Sequence, residues 1–244
     1  MELINFNQVS KSFFNQSQQT KVLDNVSFVV NDHEIVAILG PSGCGKSTIL
    51  NLINQLIEPT EGEIITNCKL GYMFQKDCLM SWRTIYKNVT IGLEITKDKS
   101  KESLEFAKDL MKKYKIQEFS SYYPNELSGG LRQRVSLIRT LVLKPDLLLL
   151  DEPFSKLDFQ TRLIVQDDVY SIIKKEKKSA LMVTHDIEEA IALSDRIIIL
   201  TNRPTKIKKE IKLDFGDESP TERRKNPKFS TYFNEIYEAI NPAK

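Results

Sequence analysis

The segment GPSGCGKS, Gly40 to Ser47, is the most informative stretch of the chain. It fits the pattern GxxxxGK followed by Ser or Thr, and it lies between the apolar run EIVAILG and the segment KSTILNLINQLI. A continuous β-rich run predicts a buried strand, and the apolar stripe that follows predicts a helix. In a strand-loop-helix unit of this kind, the backbone N–H groups of the loop and the helix N-terminus attract phosphate. We therefore predict a phosphate-binding loop at Gly40 to Ser47.

Each residue of this loop has an expected role toward ATP. Lys46 would bridge the β- and γ-phosphates, Ser47 would bind Mg²⁺, and Thr48 would contact the α-phosphate. Backbone contacts would come from Gly40, Pro41, Ser42, Gly43, Cys44 and Gly45. Because Cys44 lies near a lysine and a helix N-terminus, both of which favour the thiolate, we expect its alkylation to block activity and ATP to protect it.

Further buried strands are predicted at Leu147 to Asp151, Ala180 to His185 and Arg196 to Leu200, with helical patterns between them. The segment VLDNVSFVV alternates like a half-buried strand. The expected fold class is therefore α/β, with a mostly parallel sheet covered by helices. The helix after the phosphate loop is predicted to carry an apolar stripe of Ile49, Leu50, Leu52, Ile53, Leu56 and Ile57.

The sequence predicts helices in the middle of the chain. The segment SKESLEFAKDLMKKY has the spacing of an amphipathic helix, and no strong strand interrupts residues 75–143. We predict one domain over residues 1–244, with a core of 1–74 and 144–213, an inserted helical lobe of 75–143 and a tail of 214–244. In the tail, Asn226 and Pro227 would cap a helix whose stripe packs on the core, with a dimer or regulatory contact as the alternative.

Polar residues follow two of the predicted strands. Because the carboxyl ends of parallel strands meet at one edge of a sheet, Asp151, Glu152 and His185 are expected beside the phosphate loop. Asp151 would bind Mg²⁺ through its water shell, and Glu152 would position or deprotonate the attacking water. His185 would lie near the γ-phosphate.

A second phosphate-binding helix start is predicted at LSGGLRQR, where Ser128, Gly129 and Gly130 lead into a helix. This segment has no lysine or carboxylate pair to complete a nucleotide site of its own. We therefore expect a head-to-tail dimer in which this turn caps the ATP held by the other copy.

With these segments in order, the chain resembles the ATP-binding-cassette (ABC) ATPases over nearly its whole length. GPSGCGKST resembles Walker A, LGYMFQ the Q-loop, LSGGLRQR the signature, LLLLDEP Walker B, SKLD the D-loop and VTHD the H-loop. The resemblance implies a P-loop NTPase of the ABC type, with an antiparallel β part and an inserted helical lobe, that uses ATP and Mg²⁺.

The resemblance also assigns roles to individual residues. It implies that Gln75 touches Mg²⁺ or the attacking water, that Ser128 and Gly130 reach the γ-phosphate of the partner copy, and that Asp158 lies across the dimer interface. Phe13 matches the aromatic residue that stacks on adenine, with Phe14 as the alternative.

Within the family, the chain is similar to the ATPases of nitrate, sulfonate and taurine importers. That group often carries PWRT, whereas this chain has Ser81 before Trp82. Lys156 replaces the small residue usual in the D-loop, and His33 stands where relatives usually have glycine. The implied function is to energise a membrane importer of a small anionic or organic solute from the cytoplasmic face of the plasma membrane. The partners would be permease subunits and, indirectly, a solute-binding protein, and residues 78–82 would receive the permease's cytoplasmic helix.

Two other functions remain open: a soluble ABC ATPase that acts on nucleic acid, and the ATPase of an exporter with a separate permease. The net charge of +2 provides no basic footprint for nucleic acid, which we do not expect as a partner. Nucleic-acid relatives usually insert a long coiled coil between Walker A and the signature, or join two cassettes, and neither feature is present. The apolar runs are shorter than the ~20 residues that span a bilayer, and the three cysteines suggest a reduced cytosolic protein.

Overall fold

The larger of two β-sheets carries most of the fold. The protein, seen here in a computed structural model, is described at residues 1–15 and 18–241. Six strands pair in the order β5-β6-β7-β3-β8-β9, and all neighbours are parallel except β8 and β9. These strands are β3 (Ile35–Leu39), β5 (Leu70–Met73), β6 (Leu147–Asp151), β7 (Ser179–Thr184), β8 (Arg196–Leu200) and β9 (Ile207–Lys212). The three predicted parallel strands are confirmed within one or two residues.

A smaller antiparallel sheet lies beside the phosphate-loop side of the molecule. It contains β1 (Glu2–Asn15), β2 (Gln18–Asn31) and β4 (Glu61–Thr66) in the order β2-β1-β4. A single bridge between Leu23 and Thr205 connects it to the loop after β8.

Helices cover both faces of the larger sheet and fill the middle of the chain. They are α1 (Lys46–Ile53), α2 (Ile85–Val89), α3 (Ile91–Ile95), α4 (Lys101–Lys113), α5 (Gly129–Leu141), α6 (Phe159–Lys175), α7 (Ile187–Leu193), α8 (Pro220–Lys225) and α9 (Lys228–Ile240). Two short 3₁₀ turns, Gln117–Phe119 and Pro124–Glu126, precede α5. Between β5 and β6 the described chain is helical or irregular, as the sequence predicts for this region, while the exact bounds of a lobe remain a prediction.

Alternate side chains of the inner strands point into two different cores. In β3, Ile35, Ala37 and Leu39 pack in the cluster formed with helices such as α4, α5 and α6. Val36 and Ile38 pack in the cluster formed with α1 and the smaller sheet. Strands buried on both faces read as continuous apolar runs, which is why EIVAILG and LLLLD are recognisable from sequence.

Two local expectations need adjustment. The helix after the phosphate loop ends at Ile53, and Gln55 takes a left-handed φ of 56°, so the chain turns away before Leu56. Leu56 is therefore 60% exposed, and its predicted place in the apolar stripe is wrong. The short helix α8 begins at a capping box between Ser219 and Glu222. It was not predicted, because six residues are too few to show a helical period.

The tail helix agrees with the sequence. The Asn226 side chain accepts a hydrogen bond from the Lys228 N–H at 3.0 Å, which caps the start of α9. Ile236 is buried in the larger core, and Phe229, Tyr232 and Phe233 pack against it. The interpretation that this stripe packs on the core is confirmed except at Tyr237, which was predicted on the same face but is 52% exposed.

His33 has a left-handed φ of 59° in the turn between β2 and β3. Its N–H donates to Asp32 Oδ1 at 2.9 Å and to Ser179 Oγ at 2.8 Å. A residue without a Cβ adopts this conformation at lower cost, so glycine would fit this turn better than histidine.

Among the described helices, none is both long and apolar enough to span a membrane.

Candidate active site

The phosphate loop wraps around the end of β3 and passes directly into α1. Lys46 is almost fully buried, and its Nζ donates to the carbonyl oxygens of Gly40 at 2.8 Å and Pro41 at 3.1 Å. Gly45 has a φ of +115°, and a Cβ at this position would lie 2.7 Å from Val22 Cγ1. Gly43 also has a positive φ, of +76°. These conformations and the close approach of β2 require glycine, independently of any ligand.

The loop lines a cavity of about 190 Å³ at the carboxyl edge of the sheet. Its walls are Ser42, Gly43, Gly45, Lys46, Ser47, Thr48, Glu152 and Arg203. A lysine and a glycine-rich loop at a helix start make this cavity suited to a phosphate group.

Asp151 ends β6 next to the start of α1. Ser47 Oγ donates to Asp151 Oδ1 at 3.3 Å, and the Tyr72 hydroxyl donates to Asp151 Oδ2 at 3.2 Å. Burial raises the pKa of Asp151 above its ordinary value, and the two hydrogen bonds oppose that shift. The same burial, together with the Asp151 charge, raises the pKa of Tyr72.

The Glu152 carboxylate lies close to three other side chains for which the sequence predicts a catalytic role. Its Oε1 lies 3.2 Å from His185 Nδ1 and 3.9 Å from Lys46 Nζ, and its Oε2 accepts a hydrogen bond from Gln75 Nε2 at 3.2 Å. Glu152 itself has a positive φ of 43°, an uncommon conformation for a residue with a Cβ. The predicted catalytic residues Lys46, Gln75, Glu152 and His185 therefore lie in one cluster at the cavity.

Gln75 lies in the loop just after β5. Besides Glu152, its Nε2 reaches Ser155 Oγ at 3.3 Å. No hydrogen bond from another described residue reaches its amide oxygen, the atom suited to a metal ion or to a water proton.

The donor set next to the loop fits Mg²⁺. The Ser47 hydroxyl, the Asp151 carboxylate and the Gln75 amide are oxygen donors, which Mg²⁺ prefers. In the described part of the chain, no group of three or more His, Cys, Asp or Glu side chains could hold a metal by itself. Since Mg²⁺ commonly uses one or two protein ligands together with substrate phosphates, this small set is the expected one.

The second predicted phosphate site lies elsewhere in the subunit. Ser128 caps α5, and its Oγ accepts a hydrogen bond from the Leu131 N–H at 3.4 Å. Within the described residues, no hydrogen bond or ion pair connects Ser128, Gly129 or Gly130 to the phosphate loop. A Cβ on Gly130 would lie 2.9 Å from Val165 Cγ2, so this glycine also lets α5 approach α6. Sequence reasoning assigned Gly130 to the ligand and missed its packing role.

Asp158 is exposed and caps α6, accepting a hydrogen bond from the Thr161 N–H at 3.0 Å. Hydrogen bonds from the Thr161 side chain and from its N–H lower the pKa of Asp158. Asp158 makes no contact with the phosphate loop that the described hydrogen bonds or ion pairs record, so a role toward ATP would require a second copy.

Both candidate aromatic residues on β1 are accessible. Phe13 is 42% exposed, with Lys11 Nζ 5.1 Å from its ring centre, and Phe14 is 74% exposed. Because both rings are accessible, Phe13 and Phe14 both stay predicted alternatives for the residue that stacks on adenine.

The expectation of a readily ionised thiolate at Cys44 is wrong, whereas the backbone contact of Cys44 to ATP stays a prediction. Its side chain is buried in the core between α1 and the smaller sheet. This burial raises the pKa of the Cys44 thiol, and the opposing effects of Lys46 and Arg203 are smaller. The local motif predicted a thiolate because it contains the cations but not the apolar residues that fold over the thiol.

Arg203 was not predicted, although it lines the cavity together with Lys46 and Glu152. It lies in the loop after β8. The rule that directed attention to His185, that the carboxyl ends of parallel strands share one edge, applies to this loop as well and could have identified it.

The ABC transporter family matches residues 23–155 of the chain. The chain is 39% identical over 249 residues to the aliphatic sulfonates import ATP-binding protein SsuB of Bacillus cereus, across 97% of this chain and 94% of that protein. It is 44% identical over 205 residues to the formylaminopyrimidine import ATP-binding protein ThiZ of Halalkalibacterium halodurans, across 83% and 81%. It is 36% identical over 228 residues to the taurine import ATP-binding protein TauB of a Jannaschia species, across 88% and 85%.

A solved structure shows a similar fold. It is the dimeric post-hydrolysis state of an ATP-binding cassette bound to ADP and Pi. The two chains superpose with a TM-score of 0.73 at 31% identity, over 86% of this chain and 99% of the solved one.

Proposed function

Because the chain belongs to the ABC transporter family, as an ATP-binding subunit with ATPase activity, we propose that it energises a membrane importer. The observation that carries this proposal is the Glu152 carboxylate, which Lys46, Gln75 and His185 surround at the mouth of the phosphate-loop cavity. This arrangement provides a base, a cation and two polar groups around one point, which suits attack of water on a terminal phosphate.

In the proposed reaction, Lys46 and the loop backbone bind the phosphate chain of ATP, with Thr48 at the α-phosphate. Ser47, Asp151 and Gln75 would hold Mg²⁺, which neutralises charge on the phosphates. Glu152 accepts the proton of the attacking water, and its bonds to Gln75 and His185 keep the carboxylate oriented. His185 donates toward the γ-phosphate.

A second copy of the chain would complete the site. Ser128, Gly129 and Gly130 stand at the start of a helix of 13 residues, a position that favours an anion, and among the described residues no hydrogen bond or ion pair joins them to the phosphate loop. In a head-to-tail dimer, this turn would face the γ-phosphate held by the partner, and Asp158 would lie at the interface. The similar solved cassette is a dimer bound to ADP and Pi, which supports this arrangement.

The surface that would receive the permease is the loop after Gln75, which Asn88 holds in place. Asn88 is fully buried, accepts a hydrogen bond from the Met80 N–H at 2.7 Å, and donates to the carbonyl oxygen of Arg83 at 3.0 Å. Trp82 nevertheless remains 75% exposed. An anchored loop with an exposed tryptophan is typical of a protein-binding surface.

A groove beside that loop would receive apolar side chains of a permease helix. It has a volume of about 280 Å³, and its lining includes Phe74, Cys78, Ile91 and Leu143. Gln75 lies in the same segment as residues that line this groove, and it donates a hydrogen bond to Glu152. A permease side chain in the groove would therefore change the surroundings of the catalytic carboxylate. The protein would thus act at the cytoplasmic face of the plasma membrane, through permease subunits and, indirectly, a solute-binding protein.

The names of similar proteins indicate the class of solute that the importer would carry. Relatives at 36–44% identity are named for import of aliphatic sulfonates, taurine and formylaminopyrimidine. We infer a small anionic or organic solute of this kind, which this subunit would not touch. In proteoliposomes that contain the cognate permease and binding protein, such a solute should stimulate ATP turnover and be transported toward the side that holds the ATPase. Transport of the solute away from the ATPase side would favour an exporter instead.

The variant Glu152→Gln tests the catalytic assignment. Without its base, hydrolysis should fall by about 10²- to 10⁴-fold, while binding of ATP is kept. Phosphate release measures the first quantity, and gel filtration with Mg²⁺-ATP should reveal a trapped dimer. Glu118→Gln, at an exposed glutamate of the helical region, is the matched control and should be unaffected. Near-normal turnover of Glu152→Gln would remove Glu152 from the mechanism.

A further inference from the structure

The loop between β8 and β9 brings a second cation to the phosphate loop. Arg203 lines the cavity of about 190 Å³ that contains Lys46, Ser47 and Glu152. It also lines an adjoining cavity of about 310 Å³ with Ser42, Cys44 and Asn202. Its Nη2 lies 3.9 Å from the position that a Cβ on Gly43 would occupy, so the guanidinium faces the loop backbone.

Hydrogen bonds anchor the loop that carries Arg203. Thr205 is fully buried, and its Oγ1 donates to the carbonyl oxygen of Cys44 in the phosphate loop. The Thr205 N–H donates to the Val22 carbonyl at 2.9 Å, and the Asp24 N–H donates to the Thr205 carbonyl at 2.9 Å. The backbone two residues after Arg203 is therefore fixed to both the phosphate loop and β2, which limits where the guanidinium can go.

The charge of Arg203 is not neutralised within the described part of the chain. No ion pair or side-chain hydrogen bond connects Arg203 to another described residue, whereas the nearby Lys206 pairs with Asp24 at 3.0 Å. The one carboxylate in the shared cavity, Glu152, is already engaged by Gln75 and His185. A guanidinium with free donors beside a phosphate loop has the geometry for phosphate oxygens, which it binds through a planar fork of N–H groups.

We propose that Arg203 is a further nucleotide-binding residue of this chain, one that contacts the phosphate chain of ATP from the side opposite α1. The proposal rests on the proposed function, because it assumes ATP at this loop. Lys46 is held by backbone carbonyls deep in the loop, and Arg203 supplies a second positive charge from the exposed side.

Binding of a fluorescent ATP analogue with Mg²⁺ to the purified chain tests this inference. Arg203→Ala should weaken binding about tenfold, as expected for a lost charge-assisted hydrogen bond, and Arg203→Lys should restore part of the affinity. The loss should be large for ATP and ADP and small for AMP, and it should shrink at high salt. Lys206→Ala, which removes a neighbouring but paired cation, is the control and should bind within about twofold of the wild type.

The outcomes separate this inference from the proposed function. If the wild-type chain fails to bind the ATP analogue, the proposed function fails. If the wild type binds it and Arg203→Ala binds equally well, only the role of Arg203 is overturned. Unchanged ATP affinity with impaired dimerisation of the Arg203→Ala/Glu152→Gln chain would also overturn it and place Arg203 against the partner copy. Thermal unfolding of each variant shows that the fold is retained, as the exposure of Arg203 leads us to expect.

Discussion

At the scale of single residues, the reactivity of the cysteines is decided by what covers them. Cys44 is buried beside Lys46, Cys68 is half-buried, and Cys78 is exposed in the loop after Gln75. Burial raises the pKa of Cys68 to about 11 and also raises that of Cys44. Two of the three thiols are therefore both covered and poorly ionised, which makes them slow nucleophiles.

We expect iodoacetamide at pH 8 to label Cys78 first in the native protein, and Cys44 only when the protein unfolds. ATP should leave the labelling of Cys44 unchanged, because the core and not the nucleotide excludes the reagent. Peptide mass spectrometry over a time course, with urea-unfolded protein as the reference, measures both rates. Native labelling of Cys44 as fast as that of Cys78 would show that the phosphate loop opens.

Glu189 is a buried acid close to the catalytic edge. It lies on α7 four residues after His185, is 5% exposed, and its Oε2 accepts a hydrogen bond from Thr184 Oγ1 at 2.9 Å. Its Oε1 has no hydrogen-bond partner among the described residues. Burial raises the pKa of Glu189 to about 8, an effect that the charges of Asp186 and Glu152 reinforce and that Thr184 and Arg162 oppose.

This raised pKa has a definite consequence for stability. Between the ordinary pKa of about 4.5 and the folded-state value of about 8, the folded protein holds a proton on Glu189 that the unfolded chain has lost. The contribution of Glu189 to the free energy of unfolding is therefore fully present below pH 4.5 and declines as the pH rises through this window.

We expect Glu189→Gln to remove that decline and to stabilise the protein by a few kcal/mol at pH 8.5 relative to the wild type, with little change near pH 4.5. Urea denaturation at several pH values measures the difference. Glu188→Gln, at the exposed neighbour, should keep the wild-type slope. Parallel curves for Glu189→Gln and the wild type would mean that Glu189 is charged in the folded protein.

At the scale of elements, helices α5 and α6 each begin at a turn for which the sequence predicts a role, and they pack against each other at Gly130. The nearest atoms to a Cβ at this position would be Val165 Cγ2 at 2.9 Å and Thr161 Cγ2 at 3.2 Å. Both belong to β-branched side chains, which have few alternative rotamers in a helix. The signature turn therefore has its position set by the packing of the two helices as well as by any ligand.

We expect Gly130→Ala to lower the free energy of unfolding by about 1 kcal/mol, because overpacking outweighs the better helix propensity of alanine. Adding Val165→Ala should make the double variant more stable than the sum of the two single changes predicts. Chemical denaturation of the four proteins gives this coupling. If the two changes are simply additive, the contact between Gly130 and Val165 does not limit the approach of the helices.

Elements with a long or unbroken pattern could be predicted, and short ones could not. The buried strands β3, β6 and β8 are almost unbroken apolar runs of five residues, and the helix α4 repeats its amphipathic pattern over 13 residues. The end of α1 depends on one left-handed residue, Gln55, and α8 is a helix of only six residues that begins at a capping box. Neither feature leaves a periodic signal in the sequence.

At the scale of the whole molecule, the arrangement that matters is the path from the catalytic carboxylate to the surface. Gln75 contacts Glu152 at one end of a loop, and Trp82 is exposed seven residues later. Between them, Arg139 donates to the carbonyl oxygen of Cys78 at 2.7 Å and Asn88 accepts a hydrogen bond from the Met80 N–H, while Asn88 also donates to the carbonyl oxygen of Arg83 just after Trp82. Because the loop is held at several points along its length, we expect a partner that binds Trp82 to shift Gln75.

We expect Trp82→Ala to leave the stability of the isolated chain within about 0.5 kcal/mol of the wild type and its ATP binding intact, because the side chain is mostly exposed. Stimulation of ATP turnover by the permease should be lost. Turnover of the isolated chain and of the reconstituted complex gives the comparison, with Tyr237→Ala, another exposed aromatic residue, as the control. Full stimulation of Trp82→Ala would place the permease elsewhere.

The sequence by itself determined the parts of this protein that depend on neighbours in the chain: the phosphate loop, the buried strands with their terminal acids, and the family. It also predicted that Asp151, Glu152 and His185 lie beside the phosphate loop, because parallel strands end together, and the family resemblance added Gln75. Only the tertiary structure decided that Cys44 is covered, that Gly130 is needed for helix packing, and that Glu189 is desolvated next to the site. It also brought Arg203 from the loop after β8 to the phosphate loop. Each of these depends on residues far apart in the chain that folding places side by side, and no local pattern records such distances.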